Sequence, residues 1–179
     1  MILLIGNGPS ADTPVVAAAI RRASRVLRMN NWQPGIHIGD RCEIWGTSFN
    51  IDVQPRTVPD SVEVWWSGWP YGALFRGPDH YRGVVSAQRI RFRFDRVASQ
   101  FTLDFLYNEY HPSTGLIMAM MAVGTRNRKE PVTLAGFDHF RGERHHYWTA
   151  DPAICDPAQF HDSAREQAIL EKLGVDILR

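Results

Sequence analysis

The chain opens on five apolar residues, Met1-Ile2-Leu3-Leu4-Ile5, that stop at Gly6-Asn7-Gly8-Pro9-Ser10. A run that short and that apolar reads as a strand buried on both faces, and the glycine-rich stretch as the turn that ends it. From Asp12 to Ala23 the period changes: Val15, Val16, Ala19, Ile20 and Ala23 recur at helical spacing, and Pro14 suits a first helical turn. A buried strand followed at once by a turn and a helix is the opening of an α/β unit, because parallel strands can be joined only by a crossover. The alternation continues. Arg25–Met29, Cys42–Thr47 and Val62–Trp66 are strand-like, and Arg89–Phe94 places Arg89, Arg91 and Arg93 on one face and Ile90, Phe92 and Phe94 on the other. Val97–Tyr107 reads as a helix. Ser113–Thr125 is apolar nearly all round and must be a buried helix. Pro131–Ala135 is a strand, Asp162–Leu173 a helix and Val175–Leu178 a last strand. The expected fold is α/β: a Rossmann-like, three-layer α/β/α arrangement on a largely parallel sheet, with ligands at the carboxyl ends of the strands.

Composition bounds the rest. With 179 residues, 44% hydrophobic and 22% charged, the chain has the make-up of one globular domain over residues 1–179, not of a disordered, collagenous or coiled-coil protein. The net charge of +1 carries no overall signal for nucleic acid. Cys42 and Cys155 make neither a four-cysteine zinc site nor a disulfide framework. There is no 18-residue apolar run for a membrane span. The apolar start is too short for a signal peptide and lacks basic residues before it, so the expectation is a soluble, cytoplasmic domain. Residues 50–108 are the hardest to place and read as an insertion, a lid or an acceptor region. Gly136–Phe160 is polar and aperiodic; at about 25 residues it is longer than most connections, and such loops are often functional.

Several short stretches carry candidate chemistry. Gly6, Asn7 and Gly8 stand where backbone amides and a helix N-terminus can meet an anion, although the pattern is neither a dinucleotide fingerprint nor a P-loop, and an ordinary strand–helix turn reads equally well. Asn30, in Arg28-Met29-Asn30, lies at a strand's carboxyl end, where it suits a ribose or base, or simply a turn. Pro112-Ser113-Thr114-Gly115 opens the buried helix with capping hydroxyls and free amides, suited to a phosphate or carboxylate or to plain capping. His139, His145, His146 and His161 show no zinc-ligand spacing and fit acid–base work or a solvated loop. Glu166 follows His161 by about one helical turn, where it can hold the imidazole. The arginine stripe at 89, 91 and 93 is a solvated face or a contact for an acidic glycan or a substrate carboxylate. Trp65, Trp66 and Trp69 pack, or stack on a sugar.

The order of these stretches resembles the sialyltransferases of glycosyltransferase family 29. Their long motif is matched by Leu3-Leu4-Ile5-Gly6-Asn7-Gly8, Val26-Leu27-Arg28-Met29-Asn30, Gly35 and Ile38-Gly39-Asp40-Arg41. Their short motif is matched by Pro112-Ser113-Thr114-Gly115 through Val132-Thr133-Leu134-Ala135-Gly136-Phe137, the third by His146-Tyr147-Trp148, and the last by His161 and Glu166. The match covers roughly half the chain and leaves Asn50–Asn108 unmatched.

The resemblance implies the fold of the variant GT-A glycosyltransferases. It also implies inverting, metal-independent transfer of sialic acid, or of a related keto-acid sugar such as Kdo, from a CMP-sugar to a hydroxyl of a glycan or glycolipid. No cofactor and no metal are implied. Asn7, Gly8 and Asn30 would contact the CMP part. Ser113, Thr114 and Gly115 would hold the nucleotide and the sugar carboxylate. His146 would meet the departing phosphate, His161 would be the general base, and Tyr147 and Glu166 would support them.

Two departures stand beside the match. Animal members join the long and short motifs by a disulfide, whereas here neither cysteine lies at the matching places, near Met1 and near Arg128–Glu130. That suits a reducing compartment and a bacterial source. The chain is also short for a family catalytic domain. A CMP-binding homologue without turnover and an unrelated α/β nucleotide-binding enzyme are the alternatives.

Overall fold

The computed structural model describes residues 1–48, 58–67, 90–91, 112–138, 147 and 161–178. Its strands are β1 (Ile2–Ile5), β2 (Arg25–Met29), β3 (Ile44–Thr47), β4 (Glu63–Trp66), β5 (Ile90–Arg91), β6 (Val132–Ala135) and β7 (Asp176–Leu178). They form one sheet in the order β5-β4-β3-β2-β1-β6-β7, every neighbouring pair parallel. The helices are α1 (Pro14–Arg22), α2 (Thr114–Thr125) and α3 (Ser163–Lys172). Within the described residues these elements fall where the sequence periodicity puts them. The proposed helix over Val97–Tyr107 and the ends of the Arg89–Phe94 strand lie outside them, as does most of the loop Gly136–Phe160.

Burial on both faces explains why β1 reads as an unbroken apolar run. Ile2 and Leu4 point into a core made with α2 and α3, and Leu3 and Ile5 into a second core against α1. The helices thus lie in layers on both faces of the sheet. Leu116 through Ala122 of α2 are all buried, as the absence of a polar face demands. This helix approaches β3 so closely that a Cβ at Gly46 would lie 2.6 Å from the Met118 sulfur. Trp32, Trp45, Val58, Val62 and Val64 form a third cluster. Trp65 is buried in the core beneath α2, and Trp66 packs on the third cluster while its indole N–H donates to the Ser48 carbonyl at 3.2 Å. Both are therefore packing residues, whereas Trp69 lies outside the described residues.

The helix ends are capped by side chains. Thr13 accepts from the Val16 amide at 3.3 Å, Ser113 from that of Leu116 at 3.1 Å and Asp162 from that of Arg165 at 3.0 Å, each relieving an orphan donor. The last carbonyls of α1 are met by the Arg41 guanidinium, which donates to Ile20 and Ala23. At the amino edge of the sheet the Ser24 hydroxyl reaches Glu130 at 2.6 Å, and Arg25 lies 3.7 Å from the same carboxylate. The Ser24 bond is the main reason that the Glu130 carboxyl sits below its ordinary pKa. Among the described residues no helix is long and apolar enough to cross a membrane.

The sheet order reverses at β1, with β2 on one side and β6 on the other. The turns after β1 and β6 touch there. Gly6 donates to the Ala135 carbonyl at 2.7 Å and Gly8 to that of Gly136 at 3.0 Å. A Cβ at Gly6 would lie 2.4 Å from the Gly136 carbonyl oxygen, which is backbone and cannot rotate away. Gly6→Ala is therefore expected to cost about 2–3 kcal/mol, the upper part of the overpacking range, and to lower the melting temperature by roughly 4–12 °C. A thermal melt indistinguishable from wild type would show that the turns separate freely.

Candidate active site

Ligands of open parallel sheets bind outside the carboxyl ends of the strands at such a reversal. Five described stretches meet at that edge: the turn after β1, Asn30 after β2, Ser48 after β3, Gly136–Asp138 after β6, and the N-terminus of α2.

Asn30 is the tie between them. Its φ of 46° puts it in the left-handed region, which asparagine tolerates better than most residues. The side-chain NH2 donates to the Thr114 hydroxyl at 3.2 Å, and Oδ1 accepts from the Ser48 amide at 3.0 Å. The backbone adds an amide bond to the Gly46 carbonyl at 2.8 Å and accepts from the Trp45 indole at 3.0 Å. One residue thus joins β2, β3 and α2. Asn7 is placed differently. Its carbonyl accepts from the Tyr147 amide at 2.9 Å and its Nδ2 approaches the Met29 carbonyl at 3.4 Å, while its Oδ1 is buried with no hydrogen-bond partner. An acceptor buried and unmatched is an uncommon cost. The Tyr147 ring oxygen meets both the carbonyl and the amide of Gln33, the latter at 3.3 Å.

Gly8 is where it is because no side chain fits. A Cβ there would lie 2.2 Å from the Asp138 carboxylate, which accepts from the Ser10 amide at 2.9 Å and from the Ser10 hydroxyl. The amides of Gly6, Gly8 and Ser10 are accordingly spent on the protein itself. Asp138 was not singled out from the sequence; the signal available was its place directly after the Gly136-Phe137 turn of a buried strand.

The N-terminus of α2 is divided. The Ser113 amide and hydroxyl both donate to Glu166, each at 2.6 Å, and the Ser113 oxygen also caps Leu116. Ser113 therefore has its donors occupied by the first turn of α3. The next residues, Thr114 and Gly115, carry first-turn amides for which the helix offers no acceptor. Gly115 lies against Phe137, where a Cβ would come within 2.9 Å of the ring. Glu166 is 5% exposed, and its two oxygens turn to Ser113 rather than being left for the imidazole. His161 is half-buried and stands one residue before Asp162, the N-cap of α3. Through Glu166 that end of α3 is fixed to the N-terminus of α2. His146, His139, His145, Trp148 and Cys155 lie outside the described residues. The Cys42 thiol lies 3.2 Å from the Ile44 carbonyl.

The model of glycosyltransferase family 29 (sialyltransferase) matches residues 87–176, half of the chain. The chain belongs to that family. The matched half holds the short motif, His146-Tyr147-Trp148 and the His161–Glu166 pair, while the turn after β1 and Asn30 fall outside it. This family-29 glycosyltransferase also has its fold in common with solved sialyltransferases across nearly its whole length. A mammalian sialyltransferase in complex with Gal-beta-1-3GalNAc-ortho-nitrophenol is 16% identical, with 99% of this chain and 68% of that one covered, at a TM-score of 0.59. The sialyltransferase CST-II, in complex with a trisaccharide acceptor and CMP, is 13% identical, with 98% and 79% covered, at 0.63. A second structure of a mammalian sialyltransferase gives 16% identity, 99% and 68% coverage and 0.63. No curated protein matches the chain.

Proposed function

We propose that this family-29 glycosyltransferase moves sialic acid, or a related keto-acid sugar such as Kdo, from a CMP-linked donor to a hydroxyl of a glycan or glycolipid. The transfer inverts the anomeric centre and needs no metal. The observation that carries the reading is the bond from Asn30 to Thr114, residues 84 positions apart, which brings the long and short motifs to one edge of the sheet. CMP is bound by a solved structure of the same fold.

Asn7 contributes its unmatched Oδ1 to the nucleotide; a donor such as a cytosine amino group or a ribose hydroxyl would satisfy it. Asn30 sets the distance between the turn and α2. The Thr114 and Gly115 amides, at the positive end of α2, stabilise the charge that builds on the phosphate or sits on the sugar carboxylate. His146 assists the departing phosphate. His161 takes the proton of the acceptor hydroxyl as that oxygen attacks the anomeric carbon and the bond to phosphate breaks; the electron pair leaves with CMP. A single phosphate monoester is a good leaving group, and the sequence has no Asp-x-Asp pair of the kind that holds a divalent ion under a nucleotide diphosphate.

Titration calorimetry tests the donor assignment. CMP is expected to bind at least tenfold more tightly than AMP, GMP or UMP, and a chain that shows no preference for CMP is not a CMP-sugar transferase. Donor turnover is expected to be unchanged by a chelator. Inhibition that a divalent metal reverses would overturn the metal-free mechanism.

A further inference from the structure

Asn30 is bonded to Thr114, Ser48, Gly46 and Trp45, but the segment that follows it, residues 31–41, contains no helix or strand, only the bridge between Gly35 and Gly39. Arg28 supplies the missing support from below. Its side chain is 0% exposed. The guanidinium donates from Nε to the Arg41 carbonyl at 2.7 Å, and from Nη2 to the carbonyls of Ile38 at 2.6 Å and Gly39 at 3.3 Å. Its centre lies 4.6 Å above the Trp32 ring. Asp12 grips the same segment from the other side, accepting from the His37 amide at 2.8 Å and the Ile36 amide at 3.3 Å. A carboxylate and a guanidinium therefore do what a ladder of backbone bonds does elsewhere. Among the described residues the partners of Arg28 are carbonyls and an indole, not a carboxylate, and Nη1 is buried without a partner. Burial pushes the Arg28 pKa down and outweighs the more distant charges of Asp40 and Glu43, so this buried cation is expensive. A methionine of similar length would fill the space without that cost but could not gather three carbonyls onto one plane.

We propose that Arg28 is a positioning residue for the donor site. Its planar fork moulds residues 31–41, and so fixes Asn30 against Thr114 and Gln33 against Tyr147. The inference rests on the CMP-donor reading above. Arg28 is fully buried and touches neither donor nor acceptor, so its removal acts on donor binding and not on the chemical step.

The test uses the full chain with Arg28→Met and Arg28→Lys, followed by CMP calorimetry, donor kinetics and thermal melts. Arg28→Met is expected to raise the Kd for CMP and the KM for the donor about tenfold, with kcat at saturation within about threefold of wild type. Arg28→Lys is expected not to rescue, because an ammonium donates from a single atom and cannot span carbonyls that Arg28 reaches from both Nε and Nη2. A residue that only stabilised the fold would lower the melting temperature and the active fraction with Kd and KM unchanged, and that result overturns the proposal. Lysine restoring wild-type affinity would also overturn it, since charge alone would then suffice. Should Arg28→Met fail to fold, Asp12→Ala loosens the same segment from its other side and is expected to raise the Kd for CMP several-fold; an unchanged Kd there refutes the proposal. A wild-type chain that binds no CMP fails the donor reading, and this inference with it. A wild type that binds CMP, with Kd unmoved in the variants, fails this inference alone.

Discussion

His161→Ala is expected to abolish measurable transfer while leaving the affinity for CMP within a few-fold of wild type. A positioned base is worth roughly 10²–10⁴ in rate, and His161 is the base proposed for the acceptor hydroxyl. The separation of the two effects follows from where the groups sit. The proposed CMP contacts are Asn7 and the first turn of α2, with Asn30 holding the two together, whereas His161 stands before the N-cap of α3. The imidazole is half-buried, so its loss opens no core cavity and the variant should fold. Donor turnover and CMP titration on the same preparation decide the matter. Turnover comparable with wild type would remove His161 from the chemistry. Intact turnover in the wild type with a large loss of CMP affinity in the variant would move the residue to the donor side. A wild type that binds CMP and transfers nothing to any acceptor would make the chain a nucleotide-binding homologue.

The fold was legible in the sequence wherever the signal is periodicity against a buried surface. β1 is a run of four buried residues because both faces of the sheet are covered, and α2 lacks a polar face because the sheet and α3 enclose it. Both facts are written in residue type alone. The shared edge of the site was legible as an order of motifs, since Gly6-Asn7, Asn30 and Ser113-Thr114 each follow or precede an element whose end the topology brings there.

What each residue does at that edge was not legible, because it depends on partners far away in the chain. Gly6 and Gly8 read equally as an anion cradle or as an ordinary strand–helix turn; in the structure their amides go to Ala135 and Gly136 and their missing side chains admit the turn after β6. Ser113 reads as a plain N-cap or as a ligand for an anion; it caps α2, and its amide and hydroxyl meet the chain's own Glu166. Arg28 reads as a motif residue without a role until its carbonyl partners are seen. The stretches leading into β1 and β6 meet through polar contacts. The Ile2 amide reaches the Pro131 carbonyl at 2.9 Å, and Ser24 and Arg25 meet Glu130 beside it.

The bond between Ser113 and Glu166 carries the second large effect. Glu166 lies at two helix N-termini at once, in the first turn of α3 and against the N-cap of α2, so both dipoles favour its charge. That, with two donors at 2.6 Å, is why a carboxylate only 5% exposed is tolerated. Glu166→Ala leaves the Ser113 amide and hydroxyl without their acceptor in a part-buried site. At about 1–3 kcal/mol for each unmatched donor, and with the hydroxyl able to turn away, the loss of stability is expected to be about 2–4 kcal/mol. The catalytic loss should be larger in proportion. The bond is what sets the end of α3, and with it His161, against α2, and a displacement of about 1 Å in a reacting group can cost about a hundredfold. Glu166→Gln keeps the volume and one good acceptor but turns an NH2 toward a second donor, so it is expected to fold and to lose roughly tenfold in kcat, with the donor KM little changed. Ile169→Val separates catalysis from stability: Ile169 is buried one turn along the same helix, and the change should cost about 0.5–1.5 kcal/mol with kcat intact. If Glu166→Gln matches Ile169→Val in both melt and kcat, the carboxylate serves only to hold the helices together, and His161 owes its position to something other than this bond.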